Sequence, residues 1–336
     1  MAKKKGKTLP TVGVVGSGSF ATAIVKMLLE NAKLVHWCVR NEFVKGALEL
    51  RGHNPNYLTA VAFDVKKLKI TTDINELVSA CDIVVLATPS IYLADAIEKM
   101  TCDYEGKLFV SAIKGIVPKH NDVVAHYLRD VFKIGFRSQA VIAGPCHAEE
   151  VAMERLSYLT IAAAEKEHID ALRELFTSDY IKVSCSTDIL GNEYSAILKN
   201  IYAIAAGIAS GLGYGDNFNA VLVSNAIREM ELFLDAVYPE HREVNDSAYL
   251  GDLLVTAYSL FSRNRNLGNL IGKGYTVKSA VQSMSMVAEG YYATRGIYEI
   301  AYEKKLKTPI INTVFSILYE GKDAEKQFKK LTEKLT

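Results

Sequence analysis

Three groups of residues in this chain have types and spacings that could do chemistry. The first is Gly16-Ser17-Gly18-Ser19-Phe20-Ala21, which follows an aliphatic run and opens a helical pattern. This is the G-x-G-x-x-A order of a dinucleotide-binding turn in the strand–turn–helix context such a turn requires. Gly16 makes the tight turn, Gly18 lets a pyrophosphate approach the backbone, and Ala21 permits close helix–sheet packing. The helix that follows offers free N–H groups and a positive dipole end to phosphate. A purely structural glycine turn is the alternative, and the flanking strand and helix favour a bound dinucleotide.

Discrimination between NAD and NADP is expected where the second strand ends, about 20 residues on, as an acid that holds the ribose 2′-hydroxyl. The chain there reads Trp37-Cys38-Val39-Arg40-Asn41, with no acid at the strand end and Glu42 slightly late. Arg40 could meet a 2′-phosphate, stack on adenine, or be a solvated surface arginine. The choice stays open, leaning toward acceptance of NADP.

The second group is built around lysine. Redox chemistry on an alcohol or ketone needs a proton donor or acceptor beside the hydride path. Of the seven histidines only His147 sits in a promising loop. Lys199 lies in a predicted helix over Asn192–Ser210, opposite a stripe of Ile197, Ile201, Ile204 and Ile208. Its own face carries Ser195, Ala203 and Ala206, small residues that invite close approach by another element or a ligand. A charge there is costly unless paired or used; a lysine snorkelling to solvent is the other reading. Lys114-Gly115 and Gly144-Pro145 each follow a predicted strand at its carboxyl end, where open α/β sheets bind ligands.

The third group is Asp252, Thr256, Ser259 and Arg263, spaced to share one face of a helix predicted from Gly251 to Phe261. A solvated amphipathic face is the plain reading. The stripe runs into Ser262-Arg263-Asn264-Arg265-Asn266, a donor cluster suited to a phosphate oxyanion.

These groups need a scaffold. Continuous apolar runs at 11–15, 35–39, 83–87, 108–112, 141–143 and 160–163 read as strands covered on both faces. Helical patterns separate the first few, which predicts a parallel sheet with right-handed crossovers. Beyond about residue 191 the patterns are helical, including Val221–Val237 and Pro309–Tyr319, the latter with Pro309 in its first turn. The expected fold is α/β: a Rossmann-type parallel-sheet domain over 11–189, an all-helical domain over 190–336, and a flexible basic tail over 1–10.

Composition narrows the partners. The chain has 336 residues, enough for two domains, and a formal net charge of +1, which gives no bias toward nucleic acid or a membrane surface. Lys3, Lys4 and Lys5 before an apolar stretch mimic a signal peptide, but Gly16–Ser19 and Lys26 interrupt that stretch. No window reaches the roughly 20 apolar residues of a membrane helix. The five cysteines are scattered, without metal-ligand spacing, and suit a reducing, cytoplasmic setting, most of them as buried small hydrophobes.

Taken in order, the motifs resemble those of NAD(P)-dependent glycerol-3-phosphate dehydrogenases from Gly16 to Lys322. The family's glycine loop is similar to Gly16–Ala23, with Ala21 where Gly is usual, and its N-x-x-[YF]-L to Asn54–Leu58. Pro89-Ser90, Lys114-Gly115, Gly144–Glu150, Lys199-Asn200, Gly251-Asp252-Leu253, Ser262–Arg265 and Val287–Tyr291 follow as the family's remaining blocks. The resemblance implies a reversible hydride transfer between NAD(P)H and dihydroxyacetone phosphate, giving sn-glycerol 3-phosphate for phospholipid synthesis in a cytoplasmic homodimer. It implies Lys199 as catalytic acid/base, with Asp252, Asn200 and Lys114 around the reacting carbon. Gly144, Cys146, Ser262, Arg263 and Asn264 are implied on the substrate. Gly16, Gly18, Ser19, Phe20, Lys114, Ala148, Arg263, Val287 and Glu289 are implied on the cofactor, with Arg40 added from the reading above. Cys146 stands for a usual Ser or Thr, Glu149 for a frequent Lys, and Ser224-Asn225-Ala226 for a common T-R-G tract. The competing readings are a two-domain β-hydroxy acid dehydrogenase, against which the Ser262–Arg265 donors speak, and a non-catalytic dinucleotide sensor, which leaves Lys199 and Asp252 unexplained.

Overall fold

A computed structural model describes residues 9–336 of the chain. All but the last two positions of the expected basic tail lie outside the described residues. Eight strands form one sheet: β1 Val12–Val15, β2 Val35–Cys38, β3 Leu68–Thr71, β4 Ile83–Leu86, β5 Leu108–Ser111, β6 Gln139–Ala143, β7 Ser157–Ala163 and β8 Ile181–Ser186. Their spatial order is β3-β2-β1-β4-β5-β6-β7-β8. The first six are parallel and wound outward from β1, the Rossmann arrangement. β1, β4 and β5 are buried along their whole length, as continuous aliphatic runs require when helices cover both faces. From Ile189 onward the described residues form helices and loops, so a Rossmann-type sheet domain precedes an all-helical one.

The sheet is predominantly parallel, as expected, with one antiparallel pairing: β7 runs antiparallel to β6 and is then joined in parallel by β8. One expectation needs correction. The helix expected over Gly251–Phe261 is a π-helical turn, Ser247–Gly251, followed by a short α-helix, Asp252–Tyr258. The chain then extends at Ser259 and restarts as a helix at Arg263, with the Ser262 hydroxyl accepting the Arg265 N–H at 3.2 Å. Asp252, Thr256, Ser259 and Arg263 therefore do not share one helix.

The Ile189–Gly211 helix is the axis of the second domain and is buried from Ile189 to Ala209 on every side. Its aliphatic residues dominate every face, which places it in a core, with Asn192, Glu193, Lys199 and Asn200 as buried polar exceptions. Against it packs the Arg263–Gly272 helix, and glycines on both sides of that crossing set the distance. A Cβ at Gly207 would collide with the Arg265 carbonyl oxygen, and one at Gly268 with that of Ile204. The expected close approach exists where Gly207 and Gly211 meet Gly268 and Gly272, and Ala203 and Ala206 are buried on the same helix. Of the cysteines, Cys38, Cys81 and Cys146 are buried, Cys102 is half-buried and Cys185 is exposed. Among the described residues no helix is long and apolar enough to cross a membrane.

Candidate active site

Two adjoining cavities lie at the carboxyl ends of β1, β4, β5 and β6, where the helical domain closes over the sheet. The larger, about 810 Å³, is lined by Gly16–Ser19, Arg40, Tyr57, Thr72, Asp73, Tyr92 and the Met284–Ala288 segment. The smaller, about 170 Å³, is lined by Phe20, Lys114, Cys146–Glu149, Lys199, Asn200, Asp252, Thr256, Ser262–Asn264 and Glu289. Gly18, Ser19, Thr88, Pro89, Arg263 and Val287 border both.

At the floor of the small cavity, Lys199 is 4% exposed and Asp252 1%. Lys199 Nζ donates to Asp252 Oδ1. The π-helical turn ends at Gly251, so Asp252 starts its α-helix facing the axis helix. The other carboxylate oxygen faces Lys114 Nζ at 3.5 Å, a distance that makes the contact an ion pair rather than a good hydrogen bond. Lys114 also lies 3.4 Å from the Gly144 carbonyl oxygen and 5.3 Å from the centre of the Phe20 ring. The Asn200 amide donates to the Lys114 carbonyl at 2.9 Å, fixing the loop after β5 to the axis helix.

Electrostatics follow from burial. Two lysine side chains share the one Asp252 carboxylate. Burial pulls the Lys199 ammonium down to about 7; Asp252 opposes the shift and Lys114 adds to it. A lysine poised there can give and take a proton near neutral pH. Burial, with Lys199 and Lys114 nearby, holds His147 down at about 4, so its imidazole is neutral, and its Nε2 has no hydrogen-bond partner among the described residues. Burial pushes the Cys146 thiol up to about 12, which leaves a weak S–H donor where a hydroxyl is usual.

At the mouth, Arg263 Nη2 donates to Ser19 Oγ and lies 3.9 Å from Glu149 Oε1. Asn264 Oδ1 accepts the Gly290 N–H at 2.9 Å. Glu289 is held by the Ser90 N–H at 2.9 Å and by the Ser90 hydroxyl, and burial pushes its carboxyl above the usual range. A Cβ at Gly115 would strike that carboxylate.

The larger cavity suits a dinucleotide. Gly16 has φ +125° and a Cβ on it would lie 2.6 Å from the Ala87 carbonyl oxygen, so only glycine fits the turn. Gly18 has nothing within 4 Å of a built Cβ, which leaves its backbone open to a ligand. It caps the Ser19–Leu28 helix without a side-chain hydrogen bond, so the first-turn N–H groups have no capping acceptor. Arg40 lines this cavity and is exposed, while Glu42, turned into the next helix, accepts the Thr72 hydroxyl at 2.6 Å.

Every site residue anticipated from sequence borders one cavity or the other except Gly144, which reaches the site through its carbonyl on Lys114. Thr256, singled out in the polar stripe, lines the small cavity; sequence reasoning did not assign the Ser90–Glu289 contact, Phe261 or the aromatic wall of Tyr57, Tyr92, Tyr291 and Tyr292. The aromatic motif residues Tyr57 and Tyr291 were the only signal for that wall.

Comparison with known proteins gives a consistent result. Residues 11–169 match the family model described as NAD-dependent glycerol-3-phosphate dehydrogenase N-terminus, and residues 188–329 that of the C-terminus. A glycerol-3-phosphate dehydrogenase (NAD(P)+) of Chlorobium limicola is 34% identical over 318 residues, covering 94% of this chain and 95% of that protein. The enzyme of the same name from Latilactobacillus sakei is 30% identical over 328 residues, covering 96% of each. The crystal structure of glycerol-3-phosphate dehydrogenase from Coxiella burnetii superposes with a TM-score of 0.89 at 25% identity, covering 97% of this chain and 99% of that one. A D-mandelate dehydrogenase solved with NADH, 13% identical with a TM-score of 0.58 over 93% of this chain and 98% of its own, shares the fold alone.

Proposed function

The chain belongs to the NAD-dependent glycerol-3-phosphate dehydrogenase family, and from that premise we propose that it interconverts sn-glycerol 3-phosphate and dihydroxyacetone phosphate with NAD(H) or NADP(H). The observation that carries this reading is the buried Lys199–Asp252–Lys114 cluster opening toward Arg263 in a cavity of about 170 Å³. A small pocket on which Lys114, Lys199 and Arg263 converge suits a phosphorylated three-carbon substrate.

Gly16, Gly18 and Ser19 would hold the dinucleotide pyrophosphate, with Arg40 at the adenosine end and Phe20, Ala148, Val287 and Glu289 toward the small cavity. When bound, the nicotinamide supplies the hydride for reduction or accepts it in oxidation. Ser262, Arg263 and Asn264 bind the substrate phosphate, where charge-assisted donors match an oxyanion. In reduction the Lys199 ammonium donates a proton to the substrate's carbonyl oxygen, and in oxidation the neutral amine removes the hydroxyl proton. Asp252 orients that amine. Lys114 and Asn200 stabilise the oxygen as its charge changes, Cys146 completes the wall beside it, and the Gly144 carbonyl faces Lys114 from behind.

The dinucleotide unit spans 11–189 and the substrate unit 190–336. The enzyme acts in the cytoplasm as a homodimer and supplies glycerol 3-phosphate to phospholipid synthesis. A single assay tests the reading: loss of NADH or NADPH absorbance with dihydroxyacetone phosphate, beside a panel of β-keto acids. Turnover with dihydroxyacetone phosphate alone is the expected result. Turnover with only the keto acids, or none with any substrate, would refute it.

A further inference from the structure

The glycine loop has a back as well as a front. Its three successive carbonyl oxygens each receive a side-chain donor from the protein side. Trp37 Nε1 donates to the Gly16 oxygen at 2.7 Å, Asn54 Nδ2 to the Ser17 oxygen at 3.1 Å, and Thr22 Oγ1 to the Gly18 oxygen at 2.9 Å. The donors are themselves locked. Trp37 and Thr22 are fully buried, and the indole packs edge-on to Phe63 at 5.4 Å. Asn54, also fully buried, uses its whole amide: Nδ2 donates a second time to Thr22 Oγ1 at 2.8 Å, and Oδ1 accepts the N–H groups of Asn56 at 3.0 Å and Tyr57 at 3.2 Å.

We propose that Trp37, Asn54 and Thr22 are positioning residues that fix the peptide planes of the glycine loop for the dinucleotide pyrophosphate. A trans peptide unit points its C=O and the following N–H in opposite directions. Tying the oxygens of Gly16, Ser17 and Gly18 to the protein therefore turns the N–H groups of Ser17, Gly18 and Ser19 to the other side, where these three residues line the larger cavity. Successive N–H groups facing one way make an anion-binding concavity, which a flexible glycine segment does not hold unaided. The same Asn54 amide brings Tyr57 to the cavity wall, so one side chain sets both the loop and part of its cover. The motif around Asn54–Leu58, which touches no reacting atom, gains its function this way.

The proposal rests on the reading of the larger cavity as the dinucleotide site, and the test separates the two. NADH binding to the full-length chain is measured by calorimetry, with thermal melting and the KM for dihydroxyacetone phosphate alongside. Thr22→Val keeps the shape and removes the hydroxyl, Trp37→Phe keeps a ring and removes the N–H, and Thr22→Ser keeps the hydroxyl. Thr22→Val and Trp37→Phe are expected to weaken NADH binding at least about fivefold, with KM for dihydroxyacetone phosphate within about twofold, while Thr22→Ser binds as the parent does. Equal NADH affinity for Thr22→Val and Thr22→Ser, or a lowered melting temperature with unchanged affinity in both donor-deleting variants, overturns the positioning role and leaves the cavity assignment standing. A parent chain that binds neither NADH nor NADPH overturns both.

Discussion

Arg263 and Ser19, 244 positions apart, meet across the mouth of the site, the guanidinium donating to the hydroxyl that opens the helix after the glycine loop. This joins the small cavity to the larger one through one side chain, since Arg263 borders both. Replacing it with Ala should raise the KM for dihydroxyacetone phosphate at least about tenfold, the worth of a charge-assisted pair. The cofactor KM should rise as well, though less. Steady-state kinetics with each substrate varied in turn checks this, and an unchanged KM for both refutes it.

Cofactor choice turns on the end of β2. With Glu42 held by Thr72 and Arg40 exposed along the larger cavity, both NADH and NADPH should support turnover. Arg40→Asp should shift the ratio of kcat/KM toward NADH by about tenfold or more, because it removes a cation and adds a repelling carboxylate. A parent enzyme inactive with NADPH contradicts the role given to Arg40.

The pH profiles of the two directions should mirror each other. Because burial holds Lys199 at about 7, its ammonium is lost as pH rises through that value. Reduction of dihydroxyacetone phosphate, which needs the proton, should decline above about 7, and oxidation of glycerol 3-phosphate, which needs the free amine, should decline below it. Profiles of kcat that fall on the same side in both directions speak against Lys199 as the proton carrier.

Much of the fold and site was legible in the sequence where physics is local. The glycine loop announces itself through the strand before it and the helix after it, and Lys199 stands out as a charge in an apolar helix. β3 and β8 were missed because LKIT and IKVSCS carry exposed polar positions at the sheet's edges rather than continuous apolar runs. The break at Ser259 was hidden because the polar stripe keeps helical spacing through it. On sequence alone Lys199 could be a paired or used charge or a lysine snorkelling to solvent; a tertiary fact, the helix surrounded on all sides, decides its burial and its lowered pKa. The donors behind the glycine loop were invisible for the same reason: Trp37 and Asn54 reach it only once β2 and the loop after its helix are folded.

The crossing of the Ile189–Gly211 and Arg263–Gly272 helices brings Lys199 and Asn264 to one cavity, and Gly268 sits in that crossing. Gly268→Ala adds a methyl against the Ile204 backbone and should destabilise by about 1–3 kcal/mol, as overpacking does. Thermal melting should show the loss, and kcat should fall as the phosphate-side residues move away from Lys199. A melting temperature equal to the parent's would mean that the crossing gives way freely.

The proton-carrying role of Lys199 is the centre of the mechanism, and Lys199→Met tests it most directly. Methionine keeps about the same length and removes the titrating group. With NADH and dihydroxyacetone phosphate saturating, turnover should drop by about 10²–10⁴-fold, the usual worth of general acid–base catalysis, while NADH binding persists because the Gly16–Ala21 loop lies on the sheet domain. A Met variant that binds NADH and keeps near-parental turnover would contradict the assignment and move the proton to Lys114.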